Sequence, residues 1–271
     1  MSPRATPPRL AEVVDLIESW YPPSTAESWD AVGLVLGDPD APVGRIMLAV
    51  DPVQEVTTEA AGWGADLVVT HHPLFLKPVH GFPATTPKGR ALATLSAAGC
   101  ALLTAHTNAD VAPAGVSEAL ADRIGLLEHE PLPLADPAPS GTGRVGPVAP
   151  TTLRGFATAV AAALPATAHG VRVAGDPDRP VRRVAVCGGA GDFLLDTVAA
   201  LDVDAYLTSD LRHHPASEFT ERDGPALIDV AHWAAEWTWL PVLERRLTAA
   251  LGDTVETHVS TIPTDPWTFR V

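Results

Sequence analysis

Short apolar runs rich in valine and leucine alternate with segments of helical periodicity along most of the chain. The clearest run, residues 67–70, lies between Gly64 and Pro73 and is typical of a buried strand. Strands and helices follow one another at crossover lengths, so the pattern predicts an α/β fold with mostly parallel sheets. With 271 residues, 46% of them hydrophobic, the chain can bury the core of one large or two ordinary domains.

Two regions of the sequence resemble each other. In each, a strand-like run precedes His-His-Pro, first at 71–73 and again at 213–215. A later strand in each region precedes a histidine that has an acid four residues further on. Chance explains the apolar matches more easily than the shared order of these histidine motifs. The repeat therefore predicts two related α/β lobes.

The segment 131–150 is dense in proline, glycine and alanine and is the best candidate for a linker. The first lobe would then comprise residues 1–130 and the second lobe residues 151–271. We expect the C-terminal part of the second lobe, about 226–271, to pack back on the first.

The formal net charge of −15 and the pI of about 4.9 bear on possible partners. A phosphate backbone would be repelled unless basic residues clustered, and the sequence contains no such cluster, which argues against a nucleic-acid binder. No apolar run is long enough for a bilayer and no leader segment is visible, so we predict no membrane association and a cytoplasmic location. Cys100 and Cys187 lie in apolar runs, as expected of buried thiols in a reducing compartment.

His71 and His72 stand where the predicted strand 67–70 ends. Neighbouring side chains on a strand point to opposite faces, which argues against one ion binding both within a continuing strand. Before Pro73, however, the chain can turn and bring both rings into one cleft, at the strand end where α/β folds place their sites. Imidazole is the commonest metal ligand. The alternative, a polar pair that merely closes the strand, is favoured when this motif is taken alone.

Two further pairs have a spacing of four residues, which places them on one face of a helix. They are His106 with Asp110 and His232 with Glu236. Each pair alone is better explained as a capping acid beside a surface histidine. Asp51 and Pro52 suit a helix start in which Asp51 caps and Gln54 completes a capping box.

Five residues closely follow predicted buried strands: His71, His72, Asp110, His232 and Glu236. Three imidazoles with two carboxylates suit Zn²⁺, Fe²⁺, Mn²⁺ or Co²⁺ rather than Ca²⁺. Carboxylates can bridge two ions about 3.5–4 Å apart, and a bridging water of lowered pKa is a nucleophile for hydrolysis. The set predicts a dinuclear site, with two divalent cations per subunit, in the cleft between the lobes.

Other features have alternative interpretations. Gly188 to Gly191 could cradle an anion, but this segment lacks the full dinucleotide or P-loop pattern, and a tight strand-to-helix turn is favoured. His213 and His214 either line a pocket or begin a solvated helix. Three tryptophans fit a helical core or a subunit contact better than a substrate platform: Trp233, Trp237 and Trp239.

Specific motifs extend over nearly the whole chain: Trp29-Asp30 with Gly33-Leu34, His71-His72-Pro73, His106-Thr107-Asn108-Ala109-Asp110, Gly143-Arg144-Val145-Gly146, Cys187-Gly188-Gly189-Ala190-Gly191, and Asp229 with His232 and Glu236. In this combination the chain resembles the Nif-three-like family, whose members are often named GTP cyclohydrolase I type 2 homologues. The resemblance implies a two-lobed α/β subunit, a ring-shaped homohexamer and a dinuclear site formed by the same five residues. It also places His106 near the metals, either as a residue that contacts the metal ligands or as a proton carrier. Ala31 departs from the family, which usually has asparagine there.

Two functions remain open at this point. The first is a metal-dependent hydrolase of a phosphorylated or nucleotide-like small molecule, with His106 carrying a proton. The alternative is a metal-handling or metal-delivery protein without turnover, because an open site rich in carboxylates fits either. A DNA-associated ring is disfavoured by the charge of −15.

Overall fold

The computed structural model describes residues 6–133 and 141–271. Ten α-helices lie within these ranges: α1 Leu10–Trp20, α2 Gln54–Trp63, α3 Pro87–Ala98, α4 Thr107–Val111, α5 Val116–Arg123, α6 Leu153–Ala163, α7 Leu195–Ala199, α8 His213–Thr220, α9 His232–Trp237 and α10 Leu240–Leu251. Eleven strands lie in the same ranges: β1 Gly33–Leu36, β2 Arg45–Ala49, β3 Leu67–Thr70, β4 Ala101–Thr104, β5 Glu130–Pro131, β6 Arg144–Thr152, β7 Val171–Ala174, β8 Pro180–Ala190, β9 Ala205–Ser209, β10 Ala226–Val230 and β11 Glu256–Val259. None of the described helices has the length and hydropathy needed to cross a membrane.

The described chain forms two compact units. Unit 1 comprises the chain up to Ala112 together with Leu240–Thr264. Unit 2 comprises Pro113–Trp239 together with Asp265–Val271. Each unit has its own sheet, so the prediction of a mixed α/β fold with two lobes is confirmed.

The sheet of unit 1 has the strand order β1-β4-β3-β2-β11. All its pairs are parallel except β1 with β4, so the mostly parallel sheet predicted for the first lobe is confirmed. Every residue of β3 and β4 is buried. Helices α2 and α3 pack on one face of this sheet through Val56 and Leu95, which share a core cluster with Met47, Val68 and Leu102.

The sheet of unit 2 has the order β5-β6-β8-β9-β10-β7. Only β8, β9 and β10 pair in parallel, and both edges are antiparallel. A mostly parallel sheet was therefore wrong for unit 2, because the antiparallel pairs formed by β6 and β7 outnumber the two parallel ones. β6 is a strand because Val145 and Val148 turn apolar side chains into the core.

The two sheets share a topology. In unit 1, three parallel strands carry the antiparallel β1 beside β4, and in unit 2, three parallel strands carry the antiparallel β7 beside β10. The repeat extends to single hydrogen bonds. Asp66 Oδ2 accepts from the backbone N–H groups of Gly44 and Arg45 at 2.7 and 2.9 Å. Asp204 Oδ2 accepts from the backbone of residues 182–183 at the same two distances.

The units divide the chain differently from the predicted lobes. The boundary follows Ala112 rather than residue 130, and β6 occupies the second half of the predicted linker, 131–150. Residues 134–140 of that linker lie outside the described residues. The composition is misleading because Gly146 serves close packing. A Cβ there would lie 2.8 Å from the carbonyl oxygen of Leu127.

At the C-terminal side, the segment that joins unit 1 is Leu240–Thr264, shorter than the expected 226–271. Strand β10 and helix α9 stay in unit 2 because β10 is paired on both edges there, with β9 and β7. The chain after β10 forms two helices, α9 and α10, separated after Trp237.

The predicted start of α2 was wrong in one respect. Val53, not Asp51, is the N-cap residue, and it makes no side-chain capping bond. Asp51 is instead bonded to His72 and to the hydroxyl of Thr264. The carboxylate therefore orients other side chains rather than capping the helix.

Candidate metal centre

The ends of β3 and β4 bring three histidines together in unit 1. His71 and His72 directly follow β3, and His106 is the N-cap residue of α4, just after β4. Because these strands are parallel neighbours, their carboxyl ends lie at the same edge of the sheet. One ligand nitrogen from each ring lies within 4.8 Å of one from each of the other two. We call these residues the histidine group.

His71 is the most deeply placed member of the histidine group, with 0% of its surface exposed. Its Nδ1 donates to the carbonyl oxygen of Ala105 at 3.0 Å. Its Nε2 lies 3.6 Å from Oδ1 of Asp110 on α4. The structure thus places two of the predicted ligands, one imidazole and one carboxylate, side by side.

His72 is held by an acid that was not predicted as a site residue. Its Nδ1 donates to Oδ1 of Asp51 at 2.7 Å. The hydroxyl of Thr264 donates to the other oxygen of this carboxylate. Asp51 follows the neighbouring strand β2, so an acid directly after a buried parallel strand was the signal that the capping interpretation overlooked.

His106 is held in the same way by Asp30. The ring Nδ1 donates to Oδ1 of Asp30 at 2.8 Å, and the backbone N–H of Thr107 donates to Oδ2 at 3.0 Å. Burial would raise the pKa of Asp30, but the hydrogen bonds from His106 and Thr107 outweigh it and hold the pKa well below its usual range. Asp30 therefore stays ionised and fixes the orientation of His106.

In unit 2, a histidine and an acid lie close together on the short helix α9. His232 Nε2 lies 2.8 Å from Glu236 Oε1, as their four-residue spacing predicts. Glu236 is 2% exposed. The Nδ1 of His232 donates to Asp210 Oδ2 at 2.7 Å. Burial alone would lower the pKa of His232, but the charge of Glu236 and the hydrogen bond to Asp210 raise it to about 11.

Asp210 has an unusual backbone. Its φ of 57° lies in the left-handed region, which non-glycine residues seldom occupy. Such positions persist where surrounding structure imposes them, often at functional sites. The hydrogen bond from His232 also lowers the pKa of Asp210. The strained residue is thus the one that orients His232.

The glycine-rich segment 188–191 makes the tight strand-to-helix transition that the sequence favoured, because β8 ends at Ala190 and a 3-10 helix begins at Asp192. Its first three residues belong to the end of β8. Gly189 has a φ of 68°, and a Cβ there would lie 2.7 Å from Glu236 Oε1 and 3.4 Å from His232 Nε2. Glycine is needed here so that the histidine–glutamate pair can approach the backbone of β8.

The remaining candidates lie apart from these groups. His213 and His214 begin α8 and are exposed, and His213 also lines a cavity of about 430 Å³ in unit 2, so each of the two alternatives holds in part. Among the described residues, neither lies in a histidine and acid group close enough to share an ion. Trp233 and Trp239 are buried, which confirms their prediction as core. Cys100 and Cys187 are buried thiols, also as predicted.

One arrangement recurs in all four site histidines. Each Nδ1 donates to an oxygen: Ala105 O, Asp51 Oδ1, Asp30 Oδ1 and Asp210 Oδ2. Metal-binding histidines almost always donate their other ring N–H in this way, which fixes the tautomer and raises the basicity of the ligand nitrogen. With Nδ1 bonded to oxygen, Nε2 is the ring nitrogen of each histidine that could bind a cation. Imidazoles with nearby carboxylates fit a cation such as Zn²⁺, Fe²⁺, Mn²⁺ or Co²⁺.

Comparison with known proteins gives a consistent family. The model of the DUF34/NIF3 family (NGG1p interacting factor 3) matches residues 8–266. A Streptomyces coelicolor protein named GTP cyclohydrolase 1 type 2 homolog is 50% identical over 97% of this chain and 95% of its own length. A Mycobacterium tuberculosis protein of the same name is 36% identical, with 96% of each chain covered.

Solved structures show the same fold. A Staphylococcus aureus protein matches with a TM-score of 0.86 and 27% identity, covering 97% of this chain and 100% of that one. A Bacillus cereus protein related to NIF3 matches with a TM-score of 0.87, covering 98% and 100%. At 24% identity, the second likeness bears on the fold alone.

Proposed function

Because the chain belongs to the DUF34/NIF3 family, we propose that it binds two divalent cations and is a metal-dependent hydrolase of a phosphorylated or nucleotide-like small molecule. The ligands in this proposal are His71, His72, Asp110, His232 and Glu236. Three of these residues belong to unit 1 and two belong to unit 2. The relatives named GTP cyclohydrolase 1 type 2 homolog are consistent with a hydrolytic activity.

One observation supports metal binding most directly: the oxygen acceptor on every site histidine. Histidines elsewhere in the described chain also bond to carboxylates, but they do so through Nε2, whereas all four site histidines use Nδ1; the others are His129, His169 and His258. The bonds to Asp51 and Asp210, both 2.7 Å, are of the charge-assisted kind that restrains a ring most firmly. The site is therefore organised before any ligand binds.

When bound, divalent cations would supply Lewis-acid charge and lower the pKa of a coordinated water. The chain itself supplies the orientation. Asp51 and Asp210 hold the rings of His72 and His232, and Ala105 holds that of His71. Glu236, almost fully buried, supplies the negative charge that would neutralise a cation in unit 2.

His106 has two possible roles in this proposal. Its ring centroid lies 5.0 Å from that of His71 and 5.4 Å from that of His72, close enough to bind the same ion. Its bond to the ionised Asp30 also suits a residue that takes up and releases a proton. A His106→Ala variant separates these roles. A ligand would lose metal, whereas a proton carrier would keep metal and lose turnover.

Elemental analysis of protein purified without added metal tests the binding. We expect about two equivalents per chain, and fewer in both His71→Ala and Glu236→Ala. If removal of one unit's ligands leaves the affinity of the other unit's metal unchanged, the two units bind separate ions and the shared site is refuted.

An assay of phosphoesters and nucleotides with Mn²⁺, Zn²⁺ or Fe²⁺ tests the chemistry. Activity that survives Glu236→Ala unchanged would rule out the hydrolase mechanism. Full metal loading without turnover, combined with rapid transfer to an acceptor, would instead support a metal-delivery protein.

A further inference from the structure

A cavity in unit 1 adjoins the candidate metal ligand His72. Its volume is about 320 Å³, near the lower end of the range for small-molecule sites, about 300–1,000 Å³. Three charged or titratable side chains line it, Asp51, His72 and Lys88. Mostly apolar residues, 52–54, 73–74 and Pro87, form the rest of its wall. We call it the His72 cavity.

Lys88 gives this cavity its one basic side chain of permanent charge. The sequence has a net charge of −15 and contains only two lysines, Lys77 and Lys88. One of these two, Lys88, lines this cavity. Among the described residues, no carboxylate lies within salt-bridge distance of its ammonium group. Its Nζ lies over the ring of Phe75, 6.0 Å from the ring centroid. The ammonium group is thus positioned to pair with an anion from outside the chain.

The carboxylate at the cavity is already hydrogen-bonded. Asp51 accepts from His72 Nδ1 and from the hydroxyl of Thr264. It is therefore engaged in orienting His72 rather than in opposing Lys88. The cavity also receives the first residues of α2 and of α3, helices of 10 and 12 residues. Helix N-termini favour negative charge and so reinforce the effect of Lys88.

The position of Lys88 is fixed by its surroundings. Thr86 caps α3 by accepting from the backbone of Gly89 at 3.1 Å and donates to Pro83 O at 3.0 Å. A Cβ on Gly89 would lie 2.1 Å from the same oxygen of Pro83, so the chain before α3 packs tightly on its first turn. The start of the helix, and with it the backbone of Lys88, is therefore held at the cavity.

We propose that the His72 cavity binds the non-reacting part of the substrate, a small molecule that joins a phosphate group to a planar or apolar body. The phosphate pairs with Lys88, and the body lies on the apolar wall formed by Pro52, Pro73 and Leu74. The bond to be broken then lies on the side of His72. This last statement rests on the proposed hydrolase function, whereas the binding itself does not.

Calorimetric titration with mononucleotides tests the proposal. The probes are AMP and GMP, each compared with its neutral nucleoside, on the full chain with and without added Mn²⁺. We expect each mononucleotide to bind wild-type protein about tenfold more tightly than its nucleoside, the size of one hydrogen bond to a charged group. Lys88→Met should abolish this preference, and Lys88→Arg should retain most of it.

Lys77→Met is the matched control, because it removes the other lysine of the chain and does not line the cavity. It should leave the preference within about twofold. Equal mononucleotide binding by wild-type and Lys88→Met protein, or no preference over nucleosides in the wild type, would overturn the proposal. If mononucleotides bound only through the added metal, Lys88→Met would not change their affinity, and the proposal would likewise be overturned. Lys88-dependent binding without hydrolysis at any metal loading would refute the hydrolase function, and with it the placement of a bond to be broken beside His72, but would leave the binding of a phosphate compound in this cavity intact.

Discussion

At the carboxyl ends of β3 and β9, corresponding positions in the two units carry residues with different roles. Asp66 and Asp204 make the same pair of backbone hydrogen bonds one residue before the strand region in each unit. Counted from these aspartates, Ser209 and Asp210 correspond to His71 and His72. Unit 1 therefore places a candidate metal ligand where unit 2 places the acid that orients one.

This correspondence corrects the match of motifs from which the repeat was predicted. The second His-His-Pro motif, 213–215, is not the structural counterpart of 71–73. It lies four residues further along and begins the exposed start of α8. The lobes are related through their strand order, not through this motif. A repeated scaffold thus preserves its hydrogen-bonded framework more faithfully than its site residues.

The largest expected effect concerns loss of a ligand from either unit. Loss of an outer partner of a metal ligand costs about 10–100-fold in affinity or activity, so loss of the ligand itself should cost more than about 100-fold. We expect this of both His71→Ala and Glu236→Ala, measured as kcat/KM in the metal-supplemented assay. Equal losses would show that the two units are equally necessary. A variant of one unit that retained full activity would assign the chemistry to the other unit.

The next largest effect is expected from substitution of the acids that orient the histidines. Asp51→Asn and Asp210→Asn keep the side-chain shape but lose the charge, and each should weaken metal affinity by about 10–100-fold. Competition with a fluorescent chelator measures this. Asp196→Asn is a control, because Asp196 is exposed and pairs only with Arg222 among the contacts described. If the Asp210 variant behaves like this control, the strained aspartate has no role in metal binding.

Asp66 and Asp204, which accept the matching backbone hydrogen bonds in the two units, should affect stability rather than metal binding. Asp66→Ala and Asp204→Ala each leave two backbone N–H groups without their acceptor, which should lower the free energy of unfolding by about 1–3 kcal/mol. Urea denaturation measures the change, with metal content per folded chain as the second readout. A clear difference between the two variants would mean that the matching hydrogen bonds of the two units have similar geometry but contribute differently to the free energy of unfolding.

The smallest effect is expected at the second histidine motif. His213→Ala and His214→Ala should change metal content by less than about twofold, because both side chains are exposed at the start of α8. The same substitutions at His71 and His72 serve as the comparison. Loss of metal from the 213 or 214 variant would restore the equivalence of the two motifs.

Much of the fold was accessible to sequence analysis because the signals are local. The buried runs that became β3 and β4 are continuous and apolar, and the Gly and Pro residues around them mark their ends. The segment 131–150 was misjudged because β6 combines strand residues with glycine and proline. Gly146 is required by the approach of Leu127, a contact that no local pattern reveals.

In the candidate site, too, contacts between residues close in sequence were predictable and contacts between distant residues were not. The spacing of His232 and Glu236 predicts their contact, because four residues make one turn of a helix. The orienting roles of Asp30, Asp51 and Asp210 depend on neighbours 76, 21 and 22 residues away in the sequence. Spacing alone cannot identify such partners.

The sequence by itself determined the α/β class, the presence of two related lobes and the chemical types of the candidate ligands, since these follow from periodicity and from residues close together along the chain. Only the tertiary structure decided which acid holds which histidine and why position 189 must be glycine. It also decided that Leu240–Thr264 belongs to unit 1. The physical reason is that such contacts join residues distant in sequence, and their free energy depends on distances and burial that exist only once the strands have paired.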